Sequence, residues 1–374
     1  MSISWLTAAF RLAAAAAALA APTLASAALE TVAADDGARM QRLSGNAFVI
    51  LHEDATDEWP HGNTGVIVGK TGLFVIDSCY LPSRAKADIA LIRKVTPLPV
   101  RFLMTTHWHF DHNNGAVAYR DAFPGVTLLA ERNTARWIEL NQAYWKALST
   151  ADGSPRRESL AKLEAELAKG TGEDGKAFDA AERSKRADVI RRRKAELAEL
   201  AQLEIVPPTQ LFDGRLSLEF EGTPIEIENR GPANSPDDST IWLPRERILF
   251  AGDILVKSPL PYVGASWPVH WTRVVHELEA VPAAYIVPGH GPVMTDHAYT
   301  RTIADLLDTA LARVEALVRK GRNLKQVQDE LNLDDVRARV PVWNGASISE
   351  QDWTDTRRAL AERAFVGLRG QGGH

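Results

Sequence analysis

Thr106-His107-Trp108-His109-Phe110-Asp111-His112-Asn113 is the part of this chain richest in chemistry, because three imidazoles and a carboxylate fall in one short run. On an extended backbone alternate side chains point the same way, so His107 and His109 can grip one metal ion together. Asp111 and His112 follow where the chain turns, and they cannot easily join both earlier histidines around one tetrahedral ion. A second metal position, close enough to share a water with the first, is the reading that uses all four residues. The preceding Val100-Arg101-Phe102-Leu103-Met104-Thr105-Thr106 reads as a buried strand, and Asn113-Asn114-Gly115-Ala116-Val117-Ala118-Tyr119 as a helix entry. The cluster therefore belongs at the carboxyl end of a strand, where α/β architectures place their sites.

The elements around this loop alternate in a regular way. Ala47-Phe48-Val49-Ile50-Leu51, Thr64-Gly65-Val66-Ile67-Val68 and Leu73-Phe74-Val75-Ile76-Asp77 read as strands joined by Gly-containing turns. An amphipathic helix is expected from Ser83 to Lys94, then the strand carrying the metal loop, a helix, a short strand over Val126-Thr127-Leu128-Leu129 and a helix through Trp137 and Trp145. Further strands between Leu211 and Phe250 imply an α+β domain of two sheets packed face to face with helices outside. Between Ala151 and Leu203 the composition shifts to Ala, Glu, Lys, Arg and Leu, broken by Gly170-Thr171-Gly172 and closed by Pro207-Pro208. Leu160, Leu163 and Leu167, then Ile190, Leu197 and Leu200, recur at helical spacing, which predicts an inserted helical hairpin over 151–203. It is either a solvated elaboration packed on itself or a lid over the metal groove or a dimerisation arm. Helices are expected from Ala298 to Lys320 and from Asp352 to Leu368, within a helical tail over 298–374.

His107, His109, Asp111 and His112 match the His-x-His-x-Asp-His signature of the metallo-β-lactamase superfamily, and the chain resembles that family from about Phe48 to Met294. Ile248-Leu249-Phe250-Ala251-Gly252-Asp253 looks like the family's strand ending in Gly-Asp, and Ile286-Val287-Pro288-Gly289-His290-Gly291 like the segment supplying its last histidine. The resemblance implies a four-layer αββα sandwich with metals at the sheet edges and Asp253 bridging them. One position departs: Asn234 stands where the family's third histidine of the first site belongs, and an amide oxygen is a weaker zinc ligand than imidazole. The first site is then His107, His109 and Asp253 with Asn234 as a weak partner. The second is Asp111, His112, His290 and the shared Asp253, and is expected to be the tighter. One or two zinc ions are implied, and histidine with carboxylate also suits iron or manganese.

The activity implied is hydrolysis of a cyclic amide, ester or related acyl bond of a small molecule by a metal-bound hydroxide, with Asp111 steering the water and β-lactams the leading substrate class. A lactonase or thioesterase is the enzyme alternative, and a non-catalytic metal- or ligand-binding protein the alternative outside catalysis. Lys257 stands at the offset of a lysine that pairs with the substrate carboxylate in some of the family's lactamases; otherwise it is a surface lysine. Trp59, in the loop Asp57-Glu58-Trp59-Pro60-His61-Gly62-Asn63, resembles the tip of a flap over the groove, and His61 reads as a loop residue. Trp267, His270 and Trp271 line the opposite wall or, for the tryptophans, pack in the core.

With 374 residues the chain can bury a large core, and one extended catalytic domain is the simplest count. A formal charge of −5 argues against a nucleic-acid partner, since no basic excess is available for phosphates. Arg191-Arg192-Arg193-Lys194 is flanked by Asp188, Glu196 and Glu199 and reads as a solvated helix face. The single cysteine, Cys79, excludes an internal disulfide and reads as a packed thiol. Met1 to Ala27 reads as a signal peptide: Arg11 precedes the alanine-rich run Leu12 to Ala21, and Ala25-Ser26-Ala27 offers a cleavage site. A mature chain over 28–374 in the periplasm or outside the cell is therefore expected, without stable membrane insertion.

Overall fold

The computed structural model describes residues 28–53, 61–257, 260–340 and 348–370. The expected signal segment over 1–27 and the flap residue Trp59 lie outside the described residues.

Strands β1 (Thr31–Ala34), β2 (Ala38–Arg42), β3 (Ala47–His52), β4 (Thr64–Val68) and β5 (Leu73–Ile76) form an antiparallel meander. Helix α1 (Pro82–Val95) crosses to β6 (Val100–Thr105), which runs parallel to β5. The metal loop and helices α2 (Phe110–Asn113) and α3 (Ala116–Ala122) lead to β7 (Thr127–Glu131), again parallel. Helices α4 (Arg132–Thr150), α5 (Pro155–Lys169) and α6 (Ala180–Gln202) intervene before β8 (Gln210–Phe212) completes an eight-stranded sheet ordered β1 to β8. The second sheet has the order β13-β12-β11-β10-β9. It is made of β9 (Arg215–Phe220), β10 (Thr223–Gly231), β11 (Asp238–Leu243), β12 (Ile248–Val256) and, after helix α7 (Pro268–Glu279), β13 (Tyr285–His290). Helices α8 (Ala298–Arg319), α9 (Leu324–Glu330), α10 (Asp334–Arg337) and α11 (Glu350–Leu368) close the chain.

The two-residue period of the strands explains why the sheets stack. Along β5, Phe74 and Ile76 face the second sheet while Leu73 and Val75 face α1 and α3. Along β12, Ile248 and Phe250 face the first sheet while Leu249 and Ala251 face α7 and α8. Both faces of the central strands are thus buried, giving the expected αββα layers. The sequence reading placed the end of β12 at Asp253, but the strand runs on to Val256 through a register shift at Gly252, whose φ is +52°. Strands β1 and β2 and helices α7, α9 and α10 are additions to the sequence reading. Among the described residues no helix is long and apolar enough to cross a membrane.

Helices α5 and α6 lie within 151–203 and pack on one another and on the rest of the chain. Ser154 caps α5 ahead of Pro155, Gly170 ends it in the left-handed region at φ +78°, and Asp179 caps α6. Leu160, Ile190 and Leu197 pack on one another with Leu163 and Leu167. Farther along α6, Leu200 and the following Leu203 pack against Tyr80, Leu81 and Phe110. Phe110 lies between two of the metal-loop residues, so the insertion braces that loop. The Tyr80 hydroxyl donates to Glu196 at 2.7 Å, Arg156 pairs with the same carboxylate, and Ser83 donates to Glu199 through its backbone N–H and its hydroxyl at 2.6 and 2.8 Å. The basic run is a paired helix face, with Arg191 and Arg192 on Asp188 and Lys194 on Glu164.

Glu196→Ala removes the acceptor of the Tyr80 hydroxyl proton and the carboxylate paired with Arg156, which costs about 2–4 kcal/mol. A lowered denaturation midpoint with faster proteolysis inside 151–203 is expected; a variant as stable and as resistant as the parent would show that this contact does not anchor the insertion.

Candidate metal centre

The site begins at a strained turn. After β5 both Asp77 and Cys79 adopt left-handed backbone, at φ +61° and +72°, a conformation that costs a non-glycine residue on the order of 1 kcal/mol or more. The turn aims the Asp77 carboxylate at the metal loop. Its Oδ1 accepts the Thr106 backbone N–H at 2.8 Å, and its Oδ2 accepts from the Thr106 hydroxyl and from His112 Nδ1, both at 2.8 Å. Because the Thr106 hydroxyl spends its proton on Asp77, its oxygen accepts from His107 Nδ1 at 3.0 Å. Both Nδ1 atoms therefore carry protons, and the Nε2 lone pairs of His107 and His112 are left for a cation. Asn113 fixes the loop by donating to the Trp108 and His109 carbonyls, each at 2.7 Å.

His107, His109, Asp111 and His112 come from the loop and short helix after β6, Asp253 from β12 and His290 from the end of β13. They converge as two groups that share Asp253. Asp253 Oδ2 is 3.6 Å from His107 Nε2 and 3.9 Å from His109 Nδ1. Asp253 Oδ1 is 3.2 Å from His112 Nε2 and 3.5 Å from His290 Nε2. Asp111 Oδ2 completes the second group at 3.1 Å from His290 Nε2 and 3.6 Å from His112 Nε2. Among the histidine and carboxylate residues the second group offers four donors and the first three. Two glycines make the convergence possible: a Cβ on Gly289 would lie 1.9 Å from Asp253 Oδ1, and one on Gly62 would lie 2.5 Å from His112 Cε1.

The electrostatics are those of a cation site filled with protons. Burial opposes charge on His112 and His290, yet the surrounding carboxylates, Asp253 foremost, prevail and raise both, His290 to about 9. Burial likewise opposes charge on Asp111 and Asp253, and the imidazoles, led by His112, bring both down, Asp111 to about 2. His107 is lowered, by burial first and then by His112 and His109. Its Nε2 is buried with no hydrogen-bond partner. An acceptor left bare beside a bridging carboxylate fits a metal ligand, and imidazole with carboxylate is a donor set suited to zinc, iron or manganese.

Asn234, in the loop between β10 and β11, is fully buried. Its amide nitrogen donates to the Tyr262 carbonyl at 2.6 Å, which leaves Oδ1 as the buried atom without a partner. The ring of the same Tyr262 lies edge-on to His109 with centroids 6.4 Å apart. Lys257 is half-buried, its ammonium over the Tyr299 ring at 5.7 Å, and its backbone N–H donates to the His290 carbonyl at 2.9 Å. Trp271 is core and no groove wall: it is fully buried and its Nε1 donates to the Ile254 carbonyl at 3.1 Å. Trp267 stacks under Arg363, and His270 is exposed. His61 is a buried loop residue whose Nδ1 accepts the Tyr80 N–H at 3.1 Å. Asp77 and Thr106 are the functional residues the sequence reading missed; an aspartate ending a buried strand was the one available signal.

An aspartate on a left-handed turn orienting two imidazoles, with a second carboxylate shared between two ligand groups at the rim of paired sheets, makes a candidate site for metal ions. The sequence profile of the metallo-beta-lactamase superfamily matches residues 57–290, and the chain belongs to that superfamily of metallohydrolases. The chain is 22% identical over 273 residues to a linear primary-alkylsulfatase of Pseudomonas sp. (strain ATCC 19151), a span that is 71% of this chain and 48% of the relative. It is 30% identical over 91 residues to the metallo-beta-lactamase type 2 of Bacteroides fragilis, which is 22% of this chain and 36% of that protein. The chain thus spans half or less of these curated relatives. Among solved structures, a stereoselective inverting sec-alkylsulfatase from Pseudomonas sp. superposes over 88% of this chain and 50% of its own, with TM-score 0.60 and 15% identity. A metallo-beta-lactamase from Pontibacter korlensis covers 72% of this chain and 99% of its own, with TM-score 0.52 and 16% identity.

Below its raised pKa, protonated His290 excludes a cation from Nε2, so cation uptake by chelator-treated protein at pH 7 should release protons and strengthen as pH rises toward 9. The same shift gives the cation-free protein a stability contribution present below about pH 6.5 and lost as pH passes 9. Calorimetry in two buffers of different ionisation enthalpy reads the proton release; identical apparent heats would contradict it. Gly289→Ala should displace Asp253 and reduce bound cation while circular dichroism stays native, and a variant with undiminished cation content would show that this close approach is not needed.

Proposed function

We propose that the protein is an exported hydrolase that cleaves a cyclic amide, ester or related acyl bond of a small molecule, with β-lactams the first class to test. The observation that carries the reading is the junction of Asp111, His112, Asp253 and His290, whose donor atoms all lie within 4.8 Å of one another. Asp111, His112, Asp253 and His290 would hold zinc or another Lewis-acidic cation, which when bound would supply activation of water near neutral pH and stabilisation of negative charge on the substrate oxygen. Asp111 stays ionised in this setting and accepts a hydrogen bond from the attacking water, which aims the oxygen at the carbonyl carbon. As the C–N or C–O bond breaks, the proton released by the water passes to the departing nitrogen or oxygen. Asp77 keeps His107 and His112 in the tautomers that leave Nε2 free. Export to the periplasm or beyond, inferred from Met1 to Ala27, would bring the enzyme to substrates met outside the cytoplasm.

A second reading is cleavage of an alkyl sulfate ester, favoured by the longer sequence match to the alkylsulfatase than to the lactamase. A panel of β-lactams, lactones, thioesters and alkyl sulfates separates the two. Turnover of an acyl substrate with none of the sulfates supports the first, and the reverse replaces it. On the substrate that is turned over, Asp111→Ala should lower kcat by about 10²–10⁴-fold. A variant keeping most of its activity would remove the water-positioning role.

A further inference from the structure

Behind the turn that carries Asp77 lies a second convergence of metal-ligating side chains that hydrolysis does not use. Cys79 Sγ is 2.8 Å from Asp88 Oδ2, His52 Nε2 is 3.0 Å from the same oxygen, and His52 Nε2 and Cys79 Sγ are 3.5 Å apart. The three come from different elements, β3, the turn after β5 and α1, and all three side chains are fully buried. From these distances and residue types we propose that His52, Cys79 and Asp88 form a separate structural site for one thiophilic divalent cation of the zinc type.

Bonds of about 2.3 Å to sulfur and about 2.0–2.1 Å to nitrogen or oxygen put neighbouring donor atoms roughly 3.3–3.6 Å apart around a tetrahedral ion. The two His52 separations reach that range with shifts of a few tenths of an ångström or less, and the Cys79–Asp88 contact must open by about 0.8 Å. The contact of sulfur with a carboxylate oxygen is tighter than a neutral thiol, with its large sulfur, favours, and a shared cation relieves it. Arg84 Nη1 and Nη2 both donate to Asp35. Arg84 Nε donates to Asp88 Oδ1 at 3.1 Å, which leaves Oδ2 for the ion and acts as the outer hydrogen bond that orients a ligating carboxylate. A Cys79 thiolate beside the Asp88 carboxylate would put two negative groups in contact, which a dication offsets. Without an ion, burial and then Asp88 push the thiol pKa up; coordination reverses this, since a metal-bound thiol gives up its proton. Bound there, the cation ties β3, α1 and the left-handed turn together, directly behind the aspartate that orients His107 and His112.

Cys79 is the one cysteine of the chain, so thiolate ligation has a signature the hydrolytic site cannot imitate. The full chain is expressed in zinc-depleted medium with cobalt, because a closed site fills as the chain folds. The cobalt protein should show a near-ultraviolet thiolate-to-cobalt charge-transfer band. That band should fall at least about tenfold in Cys79→Ala and in His52→Gln, with one equivalent of bound cobalt lost. The wild-type band alone decides the matter if either variant fails to fold. A folded, cobalt-saturated wild type without the band overturns the proposal, as does a band undiminished in His52→Gln and Asp88→Asn; either result leaves the hydrolase reading where it stands.

Discussion

Two carboxylates and four imidazoles are buried against one another, and the structure depends on how their lone pairs are satisfied. Leaving them unsatisfied is costly, as burial of unpaired charge is. Protons can do it: His112 and His290 are raised because Asp111 and Asp253 lie beside them with their own pKa values lowered. Cations do it better, because each replaces several hydrogen bonds with direct ligation. The ligands are spread from His107 to His290 along the chain, so an unfolded chain cannot gather them, and cation binding adds its free energy to folding.

That coupling explains why the site lies where the sheets meet. The first sheet supplies the metal loop and the second supplies Asp253 and His290. Ile76, Met104, Phe250 and Val287 fill the space between the sheets and hold the two halves together. The Asp77 turn is the joint on the first sheet. Its left-handed backbone is maintained by the Thr106 and His112 contacts on one side and by the Cys79–Asp88 contact on the other. The insertion reaches the same region through Tyr80 and Phe110, which places three independent supports around one strained turn.

Much of this was legible in the sequence, and the gaps have physical reasons. The ligands His107, His109, Asp111 and His112 are local, so spacing alone shows them together, and the strand alternation around Phe74 and Phe250 fixes which faces meet. Asp77 was invisible as a partner because its role rests on a turn conformation and on contacts across strands. Trp271 was open to two readings because an aromatic segment does not reveal which face of α7 turns inward; the packing against Ile254 decides for the core. Strands β1 and β2 escaped because charged and polar residues interrupt their alternation at the sheet edge, as in Ala38–Arg42. The end of β12 was set too early because Gly252 reads as a terminator, whereas it absorbs a register shift inside the strand.

The central claim is that one carboxylate, Asp253, joins both ligand groups. Metal analysis of the wild type and of Asp253→Ala, purified without added metal and assayed on the same substrate, tests it most directly. The account predicts that the variant loses at least one equivalent of bound cation and, with it, hydrolysis. Unchanged cation content, or hydrolysis that survives the substitution, would contradict it.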